Sequence, residues 1–367
     1  MTLSLTTEER VARARADLRI GAPIVLAGAD GGALVLAAET LTDARLDALR
    51  ALAPEALDLA ISHHRAETLR ARAYDGALAR VVVPEEANAA WVHATADPSR
   101  DLATPLKGPY RTRRGGASDL HALAILMAKQ ARLLPAALLA VWPDPARARE
   151  VAAGAGLAEL SEEMVRRAGE AATDLDPVSG ARVPTRFAEG GKVHVFRPAD
   201  GAEEHYAVEI GTPSRPGPVL ARLHSACFTG DVLGSLKCDC GPQLHAAMEQ
   251  IAAEGSGILL YMNQEGRGIG LANKMRAYAL QDQGFDTVEA NHRLGFEDDE
   301  RDFRLGAAML ARMGVGSVRL MTNNPGKVAM MQASGITVAE RVPLRVGEQT
   351  HNRAYLATKA AKSGHLL

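Results

Sequence analysis

Apolar positions in this chain fall into short unbroken runs that alternate with segments of helical spacing. Thr7-Glu-Glu-Arg10 opens a helix that Thr6 or Thr7 can cap, with its acids at the positive end of the helix dipole. Pro23-Ile-Val-Leu-Ala27 and Gly32-Ala-Leu-Val-Leu-Ala-Ala38 predict the two strands of a hairpin about Gly28 to Gly32. Leu41 to Ala53 has helical spacing, and Ala79-Arg-Val-Val-Val-Pro84 predicts a buried strand. Ser118 to Leu134 predicts a strong helix, followed by the apolar run Ala136 to Trp142 and a Pro143-Asp-Pro145 stop. Strands and helices mixed in this way predict an α/β (α+β) domain over residues 1–180. Glu170 to Pro184, with Asp174-Leu-Asp-Pro-Val-Ser-Gly180, predicts a linker.

A second domain, α/β in class, is expected over residues 183–367. Lys192 to Phe196, Tyr206 to Ile210 and Val219 to His224 predict an antiparallel beginning, with turns at Pro198-Ala-Asp-Gly201 and Pro213 to Pro218. Helices are predicted over Pro242 to Glu254, Gly270 to Gln283 and Glu300 to Met313, and strands over Gly257 to Tyr261 and Ser317 to Met321. Pro325 to Ala333 predicts a short helix with proline in its first turn. A length of 367 residues agrees with two cores rather than one.

Composition narrows the function classes. A net charge of −2 and 4% aromatic residues supply neither the basic surface nor the stacking platforms of a nucleic-acid binder. Apolar segments are interrupted by Arg, Glu and Asp before they reach membrane-spanning length, so no membrane partner is expected. The first residues show neither the basic start nor the apolar stretch of a secretory signal, and a cytoplasmic protein is expected.

Candidate chemistry concentrates in the second half. All three cysteines lie between Arg222 and Cys240, with ten residues between Cys227 and Cys238 and one between Cys238 and Cys240. Three thiolates without a fourth protein ligand suit a zinc ion that keeps one position open for water. A disulfide would leave one thiol over, and the remaining alternative is three buried cysteines acting as small hydrophobes. Asn263-Gln-Glu265-Gly266-Arg267-Gly268-Ile-Gly270 follows a buried strand, where α/β folds place ligands, although its glycine spacing also fits a plain tight loop. Glu297-Asp-Asp299-Glu-Arg301-Asp302 reads as an acidic helix start or as a reactive cluster, and Tyr278 as a packing or a catalytic phenol. Thr322-Asn-Asn-Pro325-Gly-Lys327 is either an Asn cap or a ligand-binding helix start backed by a lysine. In the first half, His63 and His64 are adjacent on a helix, which favours surface placement over a shared metal. Arg111 to Gly116 fits a solvated basic loop better than a phosphate site, and His121 stands alone.

Together, Arg222-Leu-His-Ser-Ala-Cys227, Thr229-Gly-Asp231, Cys238-Asp-Cys240-Gly, Gln264-Glu-Gly-Arg267, Asp299-Glu-Arg-Asp-Phe303 and Thr322-Asn-Asn-Pro325 closely resemble GTP cyclohydrolase II in order and spacing. The resemblance runs from about Val183 through the tail Tyr355-Leu-Ala-Thr-Lys359 and Gly364-His-Leu-Leu367. It implies one zinc per chain on Cys227, Cys238 and Cys240, and a GTP substrate whose triphosphate is accompanied by Mg²⁺. It implies GTP contacts at Arg222, Leu223, His224, Ser225, Ala226, Gln243, Glu265, Gly266, Arg267, Thr287, Thr322 and Lys327. Asp299 would be the proton acceptor, Arg301 the nucleophile toward the α-phosphoryl group, and Tyr278 an aid to ring opening. The implied reaction is zinc-dependent hydrolysis of GTP to a diaminopyrimidine, formate and pyrophosphate, the first step of riboflavin biosynthesis, by a homodimer. Ala226 departs from the glutamate common in the family. Two rivals are a relative acting on another nucleotide or pyrimidine, as in uracil catabolism, and a non-catalytic zinc- or nucleotide-binding regulator; the intact Tyr278, Asp299 and Arg301 set speaks against the second.

The first half, from Arg113-Arg-Gly-Gly-Ala-Ser118 through Leu134-Pro-Ala136, resembles dihydroxybutanone phosphate synthase. That family's acidic, magnesium-binding loop is replaced by Ala27-Gly-Ala-Asp-Gly-Gly32, and its His-Thr-Glu by Gly116-Ala-Ser118. A non-catalytic domain is therefore expected.

Overall fold

The computed structural model describes residues 3–29, 31–171, 173–344 and 346. Asp30 and the tail at Tyr355 to Leu367 lie outside the described residues. The chain divides into two compact units, Met1–Glu170 with Ala272–Glu300, and Ala171–Leu271 with Arg301–Leu367. Where the sequence predicts one crossing near residues 170–184, the chain crosses three times, because helices Leu271–Asp282 and Thr287–Leu294 pack with the first unit.

The first unit is built on a six-stranded sheet of order β4-β3-β5-β2-β1-β6: β1 (Ile24–Gly28), β2 (Gly31–Ala37), β3 (Asp58–Ser62), β4 (Leu78–Val82), β5 (Ala136–Trp142) and β6 (Ala158–Ser161). The predicted hairpin is present, with Ile24 opposite Val35 and Gly28 opposite Gly31. A Cβ at Gly32 would come 2.6 Å from that of Ala148, so the absence of a side chain lets helix Pro145–Ala155 close on the hairpin. Thr6 caps the first helix in a reciprocal capping box with Glu9. The core beneath helix Asp119–Gln130 gathers Ile24, Leu26, Val35, Leu123, Met127, Leu139 and Leu160. The helix Thr287–Leu294 ends at Gly295, whose φ of 93° is a left-handed cap, and a Cβ there would come 2.8 Å from both Pro135 Cγ and Ser62 Oγ.

The second unit carries a seven-stranded sheet of order β13-β12-β10-β11-β9-β8-β7: β7 (Leu175–Arg182), β8 (Lys192–Pro198), β9 (His205–Ile210), β10 (Val219–Ser225), β11 (Gly257–Met262), β12 (Ser317–Met321) and β13 (Thr337–Val342). The predicted linker is in part β7, an edge strand paired antiparallel with β8 across a bulge at Pro177 to Ser179. Only Leu175 of β7 is buried, so backbone pairing rather than an apolar face makes this strand. β10 does not follow β9 antiparallel as its sequence suggests. It lies parallel to β11 and β12, and β9 pairs with β11 instead. Helices Cys240–Glu254 and Arg304–Arg312 pack against these central strands. The latter begins four residues later than Glu300, where its sequence predicts a start, leaving 301–303 as connecting chain in this unit. No helix among the described residues is long and apolar enough to cross a membrane.

Candidate active site

The carboxyl ends of β10, β11 and β12 gather most of the residues singled out above, as expected where parallel strands end together. β10 delivers Arg222, Leu223, His224 and Ser225, and Ala226 follows it with its N–H bonded to Met262 O at 2.8 Å. A short π-turn, Phe228–Val232, then carries the chain to Cys238 and to helix Cys240–Glu254.

The three cysteines converge. Their Sγ atoms lie within 4.8 Å of one another, and those of Cys227 and Cys238 are 3.7 Å apart. Thiolates sharing a tetrahedral ion at about 2.3 Å stand about 3.8 Å apart, so the donor set fits zinc with one position left over. Gly230 permits this closeness: a Cβ there would come 2.7 Å from Cys238 Sγ and 3.0 Å from Cys227 Sγ. The hydrogen bond from Cys227 and then burial hold the Cys238 thiol above the usual cysteine range, and Cys227 followed by Cys238 does the same to Cys240. Such a set releases its protons when a divalent cation joins it.

Asp231 organises the surroundings. Its side chain, 3% exposed, accepts from Cys227 N at 2.9 Å, Tyr261 Oη at 2.8 Å and His224 Nε2 at 3.0 Å. Burial first, against the raising effect of Asp231, keeps His224 below its ordinary pKa and therefore neutral near pH 7. Burial and the Asp231 charge push Tyr261 up, so the phenol remains a donor. The sequence shows Asp231 only as part of Thr229-Gly-Asp231. Its role depends on partners four, seven and thirty residues away in the chain.

Arg222 is buried behind the cysteines. Its Nη1 donates to Met321 O at 2.9 Å and its Nη2 to Gln243 Oε1 at 2.6 Å, while Gln243 Nε2 donates to Asp239 Oδ2 at 2.5 Å. Burial lowers its pKa to about 10, offset by Asp239 and Cys240, so it stays a cation at neutral pH. Its Nε is buried and makes no hydrogen bond among the described residues, so it can donate to a bound acceptor. Lys327 is also buried, with Nζ 3.3 Å from Leu223 O and 5.0 Å from the Phe303 ring. Arg301 lies over the other contact of that ring, at 4.8 Å, with Nη1 3.4 Å from Ser225 Oγ. Thr322 is buried at the end of β12, accepting from Asn324 N at 3.0 Å, while Asn324 caps helix Pro325–Ala333.

The loop after β11 is more specialised than its glycines suggest. Gly266 and Arg267 both adopt left-handed backbone, at φ 63° and 61°, which for an arginine is strained by about 1–2 kcal/mol. Glu265 holds the turn, accepting from Phe228 N at 2.6 Å and Gly266 N at 2.9 Å.

The other three predicted site residues belong to the first unit. Tyr278 sits on helix Leu271–Asp282 with Lys274 Nζ 5.6 Å from its ring. Thr287 begins the next helix, its Oγ1 accepting from Gln281 Nε2 at 3.1 Å. Asp299 is exposed in the segment after Gly295. In the same unit the basic loop is spent on structure: Arg113 Nε donates to buried Asp58 at 2.9 Å, and His121 Nε2 meets the other Asp58 oxygen at 3.2 Å. His63 and His64, half-buried, do not face apart as adjacent helix positions suggest. Their rings are tilted by 36° with centroids 3.8 Å apart, and their nitrogens lie within 4.8 Å of a Glu297 oxygen. Burial keeps His64 below its ordinary pKa, against Glu297.

Comparison with known proteins agrees with this geometry. The family model described as GTP cyclohydrolase II matches residues 177–343. A GTP cyclohydrolase-2 from Azospirillum brasilense is 43% identical over 366 residues, covering 97% of this chain and 93% of that protein. The GTP cyclohydrolase-2 of Pseudomonas aeruginosa (strain LESB58) is 56% identical over 190 residues, 52% of this chain and 92% of its own. Among solved structures, a two-domain 3,4-dihydroxy-2-butanone 4-phosphate synthase from A. baumannii aligns over 91% of this chain and 99% of its own, at 16% identity and a TM-score of 0.34. With a relative of that identity matched across nearly its whole length, the chain belongs to the GTP cyclohydrolase II family.

Proposed function

We propose that this chain hydrolyses GTP to 2,5-diamino-6-(5-phosphoribosylamino)pyrimidin-4(3H)-one, formate and pyrophosphate, opening riboflavin biosynthesis. The observation that carries the reading is the three-cysteine cluster beside a buried arginine with a free Nε, at the strand ends of a family member. Cys227, Cys238 and Cys240 would hold a zinc ion, which would supply Lewis acidity and activated water at neutral pH. Asp231 fixes the Cys227 backbone and, through His224 and Tyr261, keeps neutral donors around the donor set. Arg222 and Lys327 bring buried positive charge to the phosphates, where little water screens it. Arg301, steadied on Phe303, receives the α-phosphoryl group as pyrophosphate departs, Asp299 takes the proton released, and water then hydrolyses the Arg301–phosphorus bond to leave the 5′-monophosphate. Tyr278 assists opening of the imidazole ring. Leu223, His224, Ser225, Ala226, Gln243, Glu265, Gly266, Arg267, Thr287 and Thr322 complete the GTP contacts, with Glu265 and the left-handed Gly266-Arg267 turn shaping the wall.

Magnesium accompanies the triphosphate and offsets its charge. Residues 1–180 serve as a non-catalytic domain and 183–367 supply the chemistry. Phe228, Val232, Leu233 and Leu236, exposed together around the cysteine turn, support a homodimer. Three free cysteines fit a reducing, cytoplasmic setting. The test is to incubate the purified full-length protein with GTP and Mg²⁺ and follow formate, pyrophosphate and the pyrimidine. Equimolar formate and pyrophosphate support the reading; pyrophosphate without formate, or no turnover, would refute it.

A further inference from the structure

We propose that His63, His64 and Glu297 form a second metal site, which takes a borderline divalent ion such as Zn²⁺ or Co²⁺ and clips the segment after Gly295 to the helix His63–Thr68. One ring nitrogen of each histidine and one Glu297 oxygen lie within 4.8 Å of one another. The set of two imidazoles and one carboxylate is that of three-ligand zinc sites, which leave a fourth position to water. Imidazole donors favour Zn²⁺ and its neighbours over the oxygen-seeking Mg²⁺.

The spacing accommodates an ion. His64 Nε2 and Glu297 Oε2 are 3.3 Å apart, a long hydrogen bond. Ligands sharing a tetrahedral ion at about 2.0–2.1 Å stand about 3.4 Å apart, which matches. The surrounding groups hold the rings as outer-shell partners do. Ala77 O lies 3.3 Å from His63 Nδ1, and a proton donated there leaves the lone pair on Nε2. His292 stacks on His64, centroids 3.9 Å apart and planes 8° from parallel, and is itself held by Asp298 at 2.7 Å.

The chain is also shaped to bring Glu297 there. Gly295 presses against Ser62 and Pro135 where any side chain would collide, so the segment leaves its helix directly over His63 and His64. Glu300 accepts from Glu297 N at 3.0 Å and from Lys129 Nζ at 2.6 Å, pinning the Glu297 backbone. An ion at this point restrains Asp298, the one residue that separates Glu297 from Asp299.

Titrating metal-stripped full-length protein with Co²⁺ alone reads the two sites separately. The cysteine cluster gives thiolate-to-cobalt charge-transfer absorption, and the histidine–carboxylate site gives only ligand-field bands. Two equivalents are expected. His64→Ala and, independently, Glu297→Gln should each weaken the second equivalent at least tenfold while leaving the charge-transfer band unchanged. Glu297 is exposed, so Glu297→Gln keeps the fold even if His64→Ala does not. Binding of a single equivalent accompanied by charge transfer, or wild-type cobalt binding by Glu297→Gln, would overturn the site. Failure of the cysteine cluster to bind would leave this test intact, because its signal is distinct.

Discussion

Asp231 is not one of the thiolate donors, yet three hydrogen-bond donors end on its carboxylate. Asp231→Asn keeps the shape and replaces one acceptor by an NH₂ that faces the Cys227 amide, the Tyr261 hydroxyl or His224. Outer-shell changes of this kind cost about 10–100-fold in metal affinity. A drop of that size in competition with a chromophoric chelator is expected, with zinc still bound at saturation; unchanged affinity would show that Asp231 only packs. Cys238→Ser makes the complementary prediction. Removing one of three thiolates should leave the protein short of its one cysteine-bound zinc by metal analysis, and full retention would break the ligand assignment. These residues differ in how legible they were. Cys227, Cys238 and Cys240 betray themselves by lying close in the chain, whereas Asp231 acquires its role only when β11 places Tyr261 beside β10. The orphaned Nε of Arg222 is likewise a property of packing, with Met321 and Gln243 taking the other nitrogens.

Elements were read from sequence where an apolar face forms them. The hairpin β1–β2, the strands β5, β11 and β12, and helix Asp119–Gln130 all carry runs whose burial follows the pattern. β7 is invisible in the sequence, because Asp176-Pro-Val-Ser-Gly180 has no buried alternation and pairs through its backbone. Nor could local pattern assign helix Leu271–Asp282 to the first unit, since Asn273 meets Arg132 O and Arg276 meets Glu39 and Asp97, all distant in sequence. A buried ion cluster does similar work within the first unit. Asp58, at the start of β3, joins Arg113 of the basic loop and His121 of helix Asp119–Gln130. Burial opposes its ionisation, but His121 and Arg113 prevail and its pKa is lowered. The sign follows: stability from this cluster is fully present above the unfolded carboxylate pKa of about 3.9 and is lost as pH falls through the lower folded value. Asp58→Asn should destabilise the protein by about 3 kcal/mol in urea at pH 7, and the gap should shrink at acid pH. A pH-independent gap would assign the loss to packing.

At the scale of the whole molecule, the relative from Azospirillum brasilense matches both halves of the chain, so the first unit belongs with the second. Its resemblance to dihydroxybutanone phosphate synthase raises the prospect of a second reaction, and the structure argues against one. Helix Asp119–Gln130 begins against the end of β1, where a Cβ at Gly28 would touch Leu120 at 3.5 Å, so the two altered loops meet. The chemistry expected there, removal of a proton next to a carbonyl with a metal to stabilise the enediolate, needs acidic ligands and a base. Gly28, Gly31 and Gly32 offer neither, and Gly32 is closed under Ala148. Gly115, Gly116 and Ala117 present carbonyls that Arg80 already occupies. His121 is committed to Asp58, and Asp30, a single carboxylate, holds Mg²⁺ weakly. The His63 cluster cannot substitute, because β3 runs opposite to β1, so its carboxyl end lies at the opposite end of the strands. The full-length protein given ribulose 5-phosphate and Mg²⁺ should therefore form no dihydroxybutanone phosphate above a protein-free control. The same preparation should turn over GTP, which certifies that the chain is folded and metal-loaded. Formation of dihydroxybutanone phosphate at a rate comparable to GTP turnover would show that the glycine-rich loops retain a chemistry their side chains do not display.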